Sequence, residues 1–219
     1  MHSDSTLVTG AAGFIGARLV SKLVAQKKSV IALDCFLPNL YSSEVKKERW
    51  QRINSPLVQK IEFDLRKDDF TLLNKYEISS IINQAALPGL SSDWGNFATY
   101  YDCNLYALNR LLEYAKSLEL KSFIQASTSS VYGLSANGSE NQDLRPTSPY
   151  GVSKLAAEKL LLAYHTWFGI PAKVLRYFSV YGPLQRPDMA YSKIIHALKH
   201  GQTFTIFGDG EQRRSNTYI

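Results

Sequence analysis

Tyr150 and Lys154 stand four residues apart in the segment Ser148-Pro149-Tyr150-Gly151-Val152-Ser153-Lys154. On a helix, residues at this spacing share a face. A phenol with a pKa of about 10 is a poor base at neutral pH. A lysine ammonium beside it stabilises the phenolate and lowers that pKa. Such a pair could take a proton from a hydroxyl group and return it. Taken alone, the spacing also occurs between unrelated surface residues. Its weight comes from an upstream glycine turn, Thr9-Gly10-Ala11-Ala12-Gly13-Phe14-Ile15-Gly16, which lies between a strand-like and a helix-like run. Glycines spaced as in Gly10-x-x-Gly13-x-x-Gly16 permit a tight turn, close approach of backbone to a pyrophosphate, and close packing of helix on strand. The free N–H groups at the helix start suit phosphate oxygens. A dinucleotide site beside a proton-transfer pair implies redox chemistry on a hydroxyl group.

Other strand ends add to this site. Asp34 closes the second strand-like run, eighteen residues after Gly16. A carboxylate there accepts hydrogen bonds from both ribose hydroxyls and repels a 2′-phosphate, which favours NAD over NADP. Asp64 and Leu65 close the third run, where an adenine edge is expected. Asn83-Gln84-Ala85-Ala86 closes the fourth, and its small alanines let backbone approach the cofactor ribose and nicotinamide. Phe14 and Ile15 belong to the same expected cofactor surface. Ala126-Ser127-Thr128-Ser129-Ser130 closes the fifth run. A hydroxyl there could hydrogen-bond a substrate oxygen and share its proton with Tyr150. No metal site is expected.

These residues need a scaffold. Strand-like runs at 6–8, 30–33, 60–63, 80–82, 122–125 and 172–176 alternate with helix-like stretches at 16–28, 43–54, 96–118 and 150–168. That alternation implies an α/β fold, a Rossmann-type doubly wound parallel sheet with helices on both faces. After about Tyr181 the texture changes. Gly182-Pro183, Arg186-Pro187 and Gly208-Asp209-Gly210 interrupt the alternation. Residues 1–180 are therefore expected to form an NAD-binding domain, and residues 181–219 the start of a partial substrate-binding region. Asn216-Thr217-Tyr218-Ile219 reads as the opening of a strand, so the chain is expected to be a piece of something longer.

Bulk composition narrows the class. The 219 residues are 45% hydrophobic and 20% charged, as in ordinary soluble domains. No apolar run is long enough to span a bilayer, so no membrane partner is expected. Met1-His2-Ser3-Asp4-Ser5 leads directly into a strand and leaves no room for a signal peptide. Cys35 and Cys103 form no motif, which fits a reduced, cytoplasmic protein. The net charge of +6 is compatible with attraction of an anionic ligand or with a solvated surface. The basic residues form no basic-aromatic stripe, so nucleic acid is not an expected partner.

The motifs TGAAGFIG (9–16), Asp34, Asp64-Leu65, NQAA (83–86), Asn104, STSSVYG (127–133), Tyr150 with Lys154, and RYFSVYGP (176–183) together resemble the extended short-chain dehydrogenase/reductase family, specifically its nucleotide-sugar epimerases and dehydratases. The resemblance runs over the whole chain. It implies that Thr128 is the hydroxyl partner of Tyr150, that Lys154 also holds the nicotinamide ribose, that Asn104 supports the cofactor site and that Tyr177 borders it. It also implies a mechanism: Tyr150 takes the proton of a sugar 4-OH, a 4-keto sugar forms with NAD as acceptor, and reduction from the opposite face inverts C4. Roughly a hundred further residues are implied by the same resemblance. A homodimer through the helices at 96–118 and 150–168 is implied too.

Subfamily follows from local comparison. The 4,6-dehydratases typically follow the active Thr with Asp-Glu, and the decarboxylases carry a Glu nearby. Here Ser129 and Ser130 follow Thr128, which favours simple 4-epimerisation of a UDP-sugar. The stretch 181–190 resembles that of UDP-glucuronate 4-epimerases, which carry a small hydroxyl residue at the place of Ser179 and an Arg at the place of Arg186. Both would favour a carboxylate on the sugar, so UDP-glucuronate is expected over UDP-glucose. By resemblance Ser129 is expected on the substrate, Phe207 against uracil and Arg214 on the diphosphate. The usual His of the fourth-strand motif is Asn83 here, and the usual Asp-Phe after the diphosphate Arg is Ser215-Asn216. Two other readings compete. A dehydratase or decarboxylase would need an acid from elsewhere, such as Asp93 or Glu140, and a catalytically silent NAD-binding module would not use Tyr150 at all.

Overall fold

Apolar segments of the chain become a six-stranded parallel sheet, seen in a computed structural model that describes residues 4–38, 41–89, 94–136, 139–206, 208–211 and 215–219. The strands are β1 (Ser5–Thr9), β2 (Ser29–Asp34), β3 (Val58–Glu62), β4 (Ile78–Asn83), β5 (Ser122–Thr128) and β6 (Ala172–Tyr177). Their order is β3-β2-β1-β4-β5-β6. Every pairing is parallel, with Thr9 of β1 opposite Leu33 of β2 and Asn83 of β4. Winding reverses between β1 and β4. In sheets of this order a crevice opens at that point, beyond the carboxyl ends of the strands.

Strand alternation sends successive side chains to opposite faces, and two core layers result. On one face Leu7, Ile31, Leu33, Ile81 and Phe123 pack with Leu108, Leu111 and Leu112 of α4 (Ala107–Ala115) and with Ala157 and Leu161 of α5 (Pro149–Phe168). On the other, Val8, Val30 and Ala32 pack with Val20 of α1 (Phe14–Ala25) and with Ile53, just past α2 (Ser43–Arg52). With both faces covered, the sheet is held rigid and its strand ends are fixed in space.

The long helix expected at 96–118 runs without a gap from 97 to 115, but its winding changes along the way. A short α3 (Phe97–Tyr100) passes through a π-helical stretch, Tyr101–Tyr106, before α4. Wide turns of this kind gather at functional sites. Here the wide turn carries Asn104, whose buried amide bonds outside the helix: Oδ1 accepts from Leu87 N at 2.7 Å, and Nδ2 donates to Leu87 O at 3.1 Å and to Ser153 Oγ at 2.9 Å. The helical pattern is kept, with this tertiary hydrogen bonding placed at its wide turn.

Beyond β6 lie β7 (Ser179–Tyr181), α6 (Ala190–Lys199) and β8 (Asn216–Tyr218). Strands β7 and β8 pair in parallel as a separate small sheet. The strand signal at 216–219 is thus met by β8. The turn signals after Tyr181 hid α6, a ten-residue helix with Tyr191, Ile195 and Leu198 exposed.

Candidate active site

The carboxyl ends of the strands enclose a cavity of about 1270 Å³. Gly10, Gly13, Phe14, Ile15 and Gly16 line one end, with Asp34, Asp64 and Leu65 beside them. Gln84, Ala85 and Ala86 line its middle, and Thr128, Ser129, Tyr150, Lys154, Tyr177, Ser179 and Arg186 line the far end. Asn104 stands behind the wall, holding the loop after β4 against α5. Phe207, Arg214 and Asp93 lie outside the described residues.

At the glycine end, a Cβ on Gly16 would sit 2.1 Å from the carbonyl oxygen of Gly10, so only glycine lets α1 approach the turn this closely. The first turn of α1 holds no acidic residue, and its N-cap, Gly13, offers no side chain to the free N–H groups. That arrangement suits a dinucleotide diphosphate. The buried Asp34 carboxylate accepts from Ala12 N at 2.9 Å and from Phe36 N at 2.8 Å. Each carboxylate oxygen keeps a further lone pair for a ribose hydroxyl. The residues present therefore fit NAD at this end of the cavity.

Asp64 is less free than its strand-end position implies. Arg66 clasps it in a fork, Nε to Oδ1 at 2.9 Å and an η-nitrogen to Oδ2 at 2.7 Å. That hydrogen bonding holds the Asp64 carboxyl below the usual carboxylate range, against the opposing effect of burial. Arg66 also lies 3.6 Å from Cys103 Sγ, and both Cys35 and Cys103 line this end as free thiols. Burial pushes both thiols above their ordinary pKa, with the Arg66 charge opposing. Nothing in the cysteine spacing signalled this. For Arg66 the only sequence signal was its place two residues past Asp64.

The proton-transfer end is built by α5 and the end of β5. Ser148 caps α5 by accepting from Gly151 N at 3.1 Å, and Pro149 occupies the first turn. A Cβ on Gly151 would meet Ser130 O at 2.7 Å. Glycine thus lets the start of α5 seat against the turn that follows Thr128, which brings Tyr150 to the Thr128 hydroxyl. Thr128 Oγ1 accepts from Ser130 N at 3.1 Å and lies 3.2 Å from Ser130 Oγ. Burial pushes the Tyr150 hydroxyl pKa up, while the nearby Thr128 hydroxyl and the Arg186 charge act in the opposite direction. Lys154 is fully enclosed within the fold, 2% exposed. Burial lowers its pKa to about 8, and the charge of Glu158 holds it from falling further.

Glu158 extends the Tyr150–Lys154 row by one more helical turn. Its buried carboxylate accepts from Arg176 Nε at 3.1 Å and from an η-nitrogen at 2.9 Å. It also accepts from the Ser127 hydroxyl. Arg176 goes on to bond Tyr132 OH at 3.2 Å and Glu140 O at 3.0 Å. This network fixes α5 to β5 and β6 directly beneath the pair. The spacing 150–154–158 was the available signal, and Arg176 sits inside the motif 176–183. Glu140 itself is exposed and is not part of the cavity wall.

Asn83 also finds its place below the cavity. Thr9 donates to its Oδ1, and Asn83 Nδ2 donates to Gln125 Oε1 at 2.8 Å. A buried amide thus joins β1, β4 and β5, with one acceptor and one donor each satisfied. Thr9 Oγ1 in turn accepts from Ala85 N at 3.1 Å, shaping the loop that faces the cavity. Gln84 Nε2 donates to Tyr177 OH at 3.0 Å across the cavity floor.

This geometry is matched by known proteins. The model of the NAD dependent epimerase/dehydratase family matches residues 6–219. The chain belongs to that family. It is 45% identical over 224 residues to an uncharacterized UDP-glucose epimerase of Bacillus subtilis, covering 97% of this chain and 68% of that protein. It is 36% identical to a UDP-glucuronate 4-epimerase of Thermodesulfobacterium geofontis, covering 97% of this chain and 67% of that one. Among solved structures, a UDP-glucuronic acid 4-epimerase from Bacillus cereus in complex with UDP-glucuronic acid and NAD superposes with a TM-score of 0.90 at 42% identity, over 98% of this chain and 69% of that one. The chain therefore spans about two thirds of the length of these family members. Of the described residues, no helix is long and apolar enough to cross a membrane.

Proposed function

We propose that this chain acts as an NAD-dependent UDP-sugar 4-epimerase that favours UDP-glucuronate over UDP-glucose. The observation that carries the reading is the joint placement of Thr128, Tyr150 and Lys154 on one cavity with the glycine turn and Asp34. In this reading residues 1–180 hold NAD, through the turn 10–16, Asp34, Asp64-Leu65 and 84–86. Residues 181–219 begin the sugar-binding side. When bound, NAD supplies a reversible hydride acceptor for sugar C4. Tyr150 takes the proton of the 4-OH through the hydrogen bond it shares with Thr128 and returns it to the inverted alcohol. Lys154, one turn away and enclosed, stabilises the phenolate in that step and holds the nicotinamide ribose. Ser129 and Ser130 line the cavity where an elimination would need an acid, which supports epimerisation over dehydration.

Glucuronate preference rests on Arg186 and Ser179, which line the same end of the cavity as Tyr150. Arg186 is held by Asp188, at 3.0 and 2.6 Å. Its guanidinium keeps further N–H donors for a sugar carboxylate. Relatives of similar sequence named as UDP-glucuronate 4-epimerases add to this support. The exposed Phe97, Tyr101, Tyr106, Leu162, Trp167 and Phe168 on α3–α5 support a homodimer through those helices. The free thiols fit a cytoplasmic setting.

The test is a proton NMR time course with NAD and, in turn, UDP-glucuronate, UDP-glucose and UDP-N-acetylglucosamine. The expected outcome is interconversion of UDP-glucuronate and UDP-galacturonate, faster than for the neutral sugars. A dehydrated or decarboxylated product would overturn the reading in favour of a lyase.

A further inference from the structure

The loop that carries Arg186 is tied to the cofactor-binding half by a residue far from it in sequence. Arg49 of α2 is 4% exposed and 135 residues from its partner, Leu184. One η-nitrogen donates to Leu184 O at 2.8 Å, and the other donates to Tyr41 OH at 3.2 Å. Among the described residues its Nε is buried without a partner. Burying an arginine with a donor unmatched is costly, so the two bonds it does make hold a geometry that solvent exposure would lose. Leu184 itself adopts a left-handed backbone, φ 64°, a conformation that non-glycine residues hold only where surroundings impose it. Tyr41 lies at the centre of this arrangement. The Arg49 guanidinium lies 5.5 Å from its ring centroid, that of Arg186 6.0 Å, and the Lys46 ammonium 5.3 Å. Tyr41, Lys46, Gln185 and Arg186 all line the cavity, and the Arg186 charge acts on Tyr150.

We propose that Arg49 is a positioning residue for sugar selection: through Tyr41 and the Leu184 carbonyl it latches the 182–189 loop to the cofactor-binding half and so holds Arg186 at the reacting end of the cavity. The inference deepens the epimerase reading and rests on it. Arg49 touches neither sugar nor cofactor in this account. Its effect runs through where Arg186 stands, so it discriminates between sugars with and without a carboxylate.

Two readouts test this on the full chain. The variants are Arg49→Met, the milder Tyr41→Phe, and Arg52→Met as a control on the exposed face of the same helix. First, hydrogen–deuterium exchange of the backbone amides of Leu184, Gln185, Arg186, Asp188 and Met189 is expected to quicken by about tenfold in Arg49→Met, the size of one lost charge-assisted hydrogen bond. Tyr41→Phe should quicken it less, and Arg52→Met should leave it unchanged. Second, KM for UDP-glucuronate should rise by about tenfold in Arg49→Met while KM for UDP-glucose, both kcat values and NAD affinity change less than about threefold. Unchanged exchange at those five amides, or equal losses for both sugars, would overturn the proposal. Should the wild-type chain interconvert no UDP-sugar, the functional reading fails by itself, and unaltered exchange in Arg49→Met would then sink the latch separately.

Discussion

Replacing Glu158 by Gln tests whether the network under α5 sustains the proton-transfer pair. The carboxylate is 2% exposed and receives three Arg176 contacts between 2.9 and 3.2 Å, plus the Ser127 hydroxyl. Removing one partner of a buried pair costs about 3–5 kcal/mol, because the other charge is left uncompensated. Arg176 is 19% exposed and keeps Tyr132 OH, Glu140 O and the Tyr132 ring, 5.2 Å from its guanidinium. The loss should therefore fall near the lower end, about 3 kcal/mol. With a urea m-value of roughly 3 kcal/mol/M, the unfolding midpoint should drop by about 1 M. The double variant Glu158→Met with Arg176→Met removes both charges and should recover most of that loss. The pKa of Lys154 should also fall below about 8, since Glu158 is the charge that opposes its lowering by burial. A single variant within 1 kcal/mol of wild type, or a double variant as unstable as the sum of its parts, would refute this reasoning.

Other consequences follow from the same geometry. Because Lys154 is brought down to about 8 when folded, below its unfolded value of about 10.4, the unfolded chain binds the extra proton between those values. Stability should accordingly rise with pH across that window, by up to roughly 3 kcal/mol, in wild type but not in Lys154→Met; equal pH profiles for the two would contradict it. Tyr150→Phe should lower kcat by about 10²–10⁴-fold with NAD affinity unchanged, measured by steady-state kinetics and cofactor titration; retained turnover would remove Tyr150 from the chemistry. Gly16→Ala would place a methyl 2.1 Å from Gly10 O and should abolish measurable NAD binding in a fluorescence titration, and binding within tenfold of wild type would show that the turn is not the cofactor cradle.

Local pattern carried much of the fold. The glycine turn, the buried strands and the Tyr150–Lys154 spacing are each set by residues within one or two elements, so they can be seen in the chain as a string. Contacts between distant segments cannot. Arg49 meets Leu184 across 135 residues, and Glu158 meets Arg176 across a helix–strand connection. Arg66 turns Asp64 from a bare strand-end carboxylate into half of an ion pair with a thiol beside it. The helix expected through Asn104 is present, but its apolar spacing carries no trace of the π-helical turn or of the bonds Asn104 makes to Leu87 and Ser153. Helix α6 was obscured by the Gly and Pro signals that flank it.

The most direct measurement of the central claim is the fate of the C4 hydrogen. UDP-glucuronate labelled with deuterium at C4 is incubated with the protein and NAD in ordinary water, and the product is read by NMR and mass spectrometry. UDP-galacturonate with deuterium retained at C4 is expected, because the hydrogen leaves as hydride and returns to the same carbon. A product that has lost its label to solvent, or no galacto product, would contradict it.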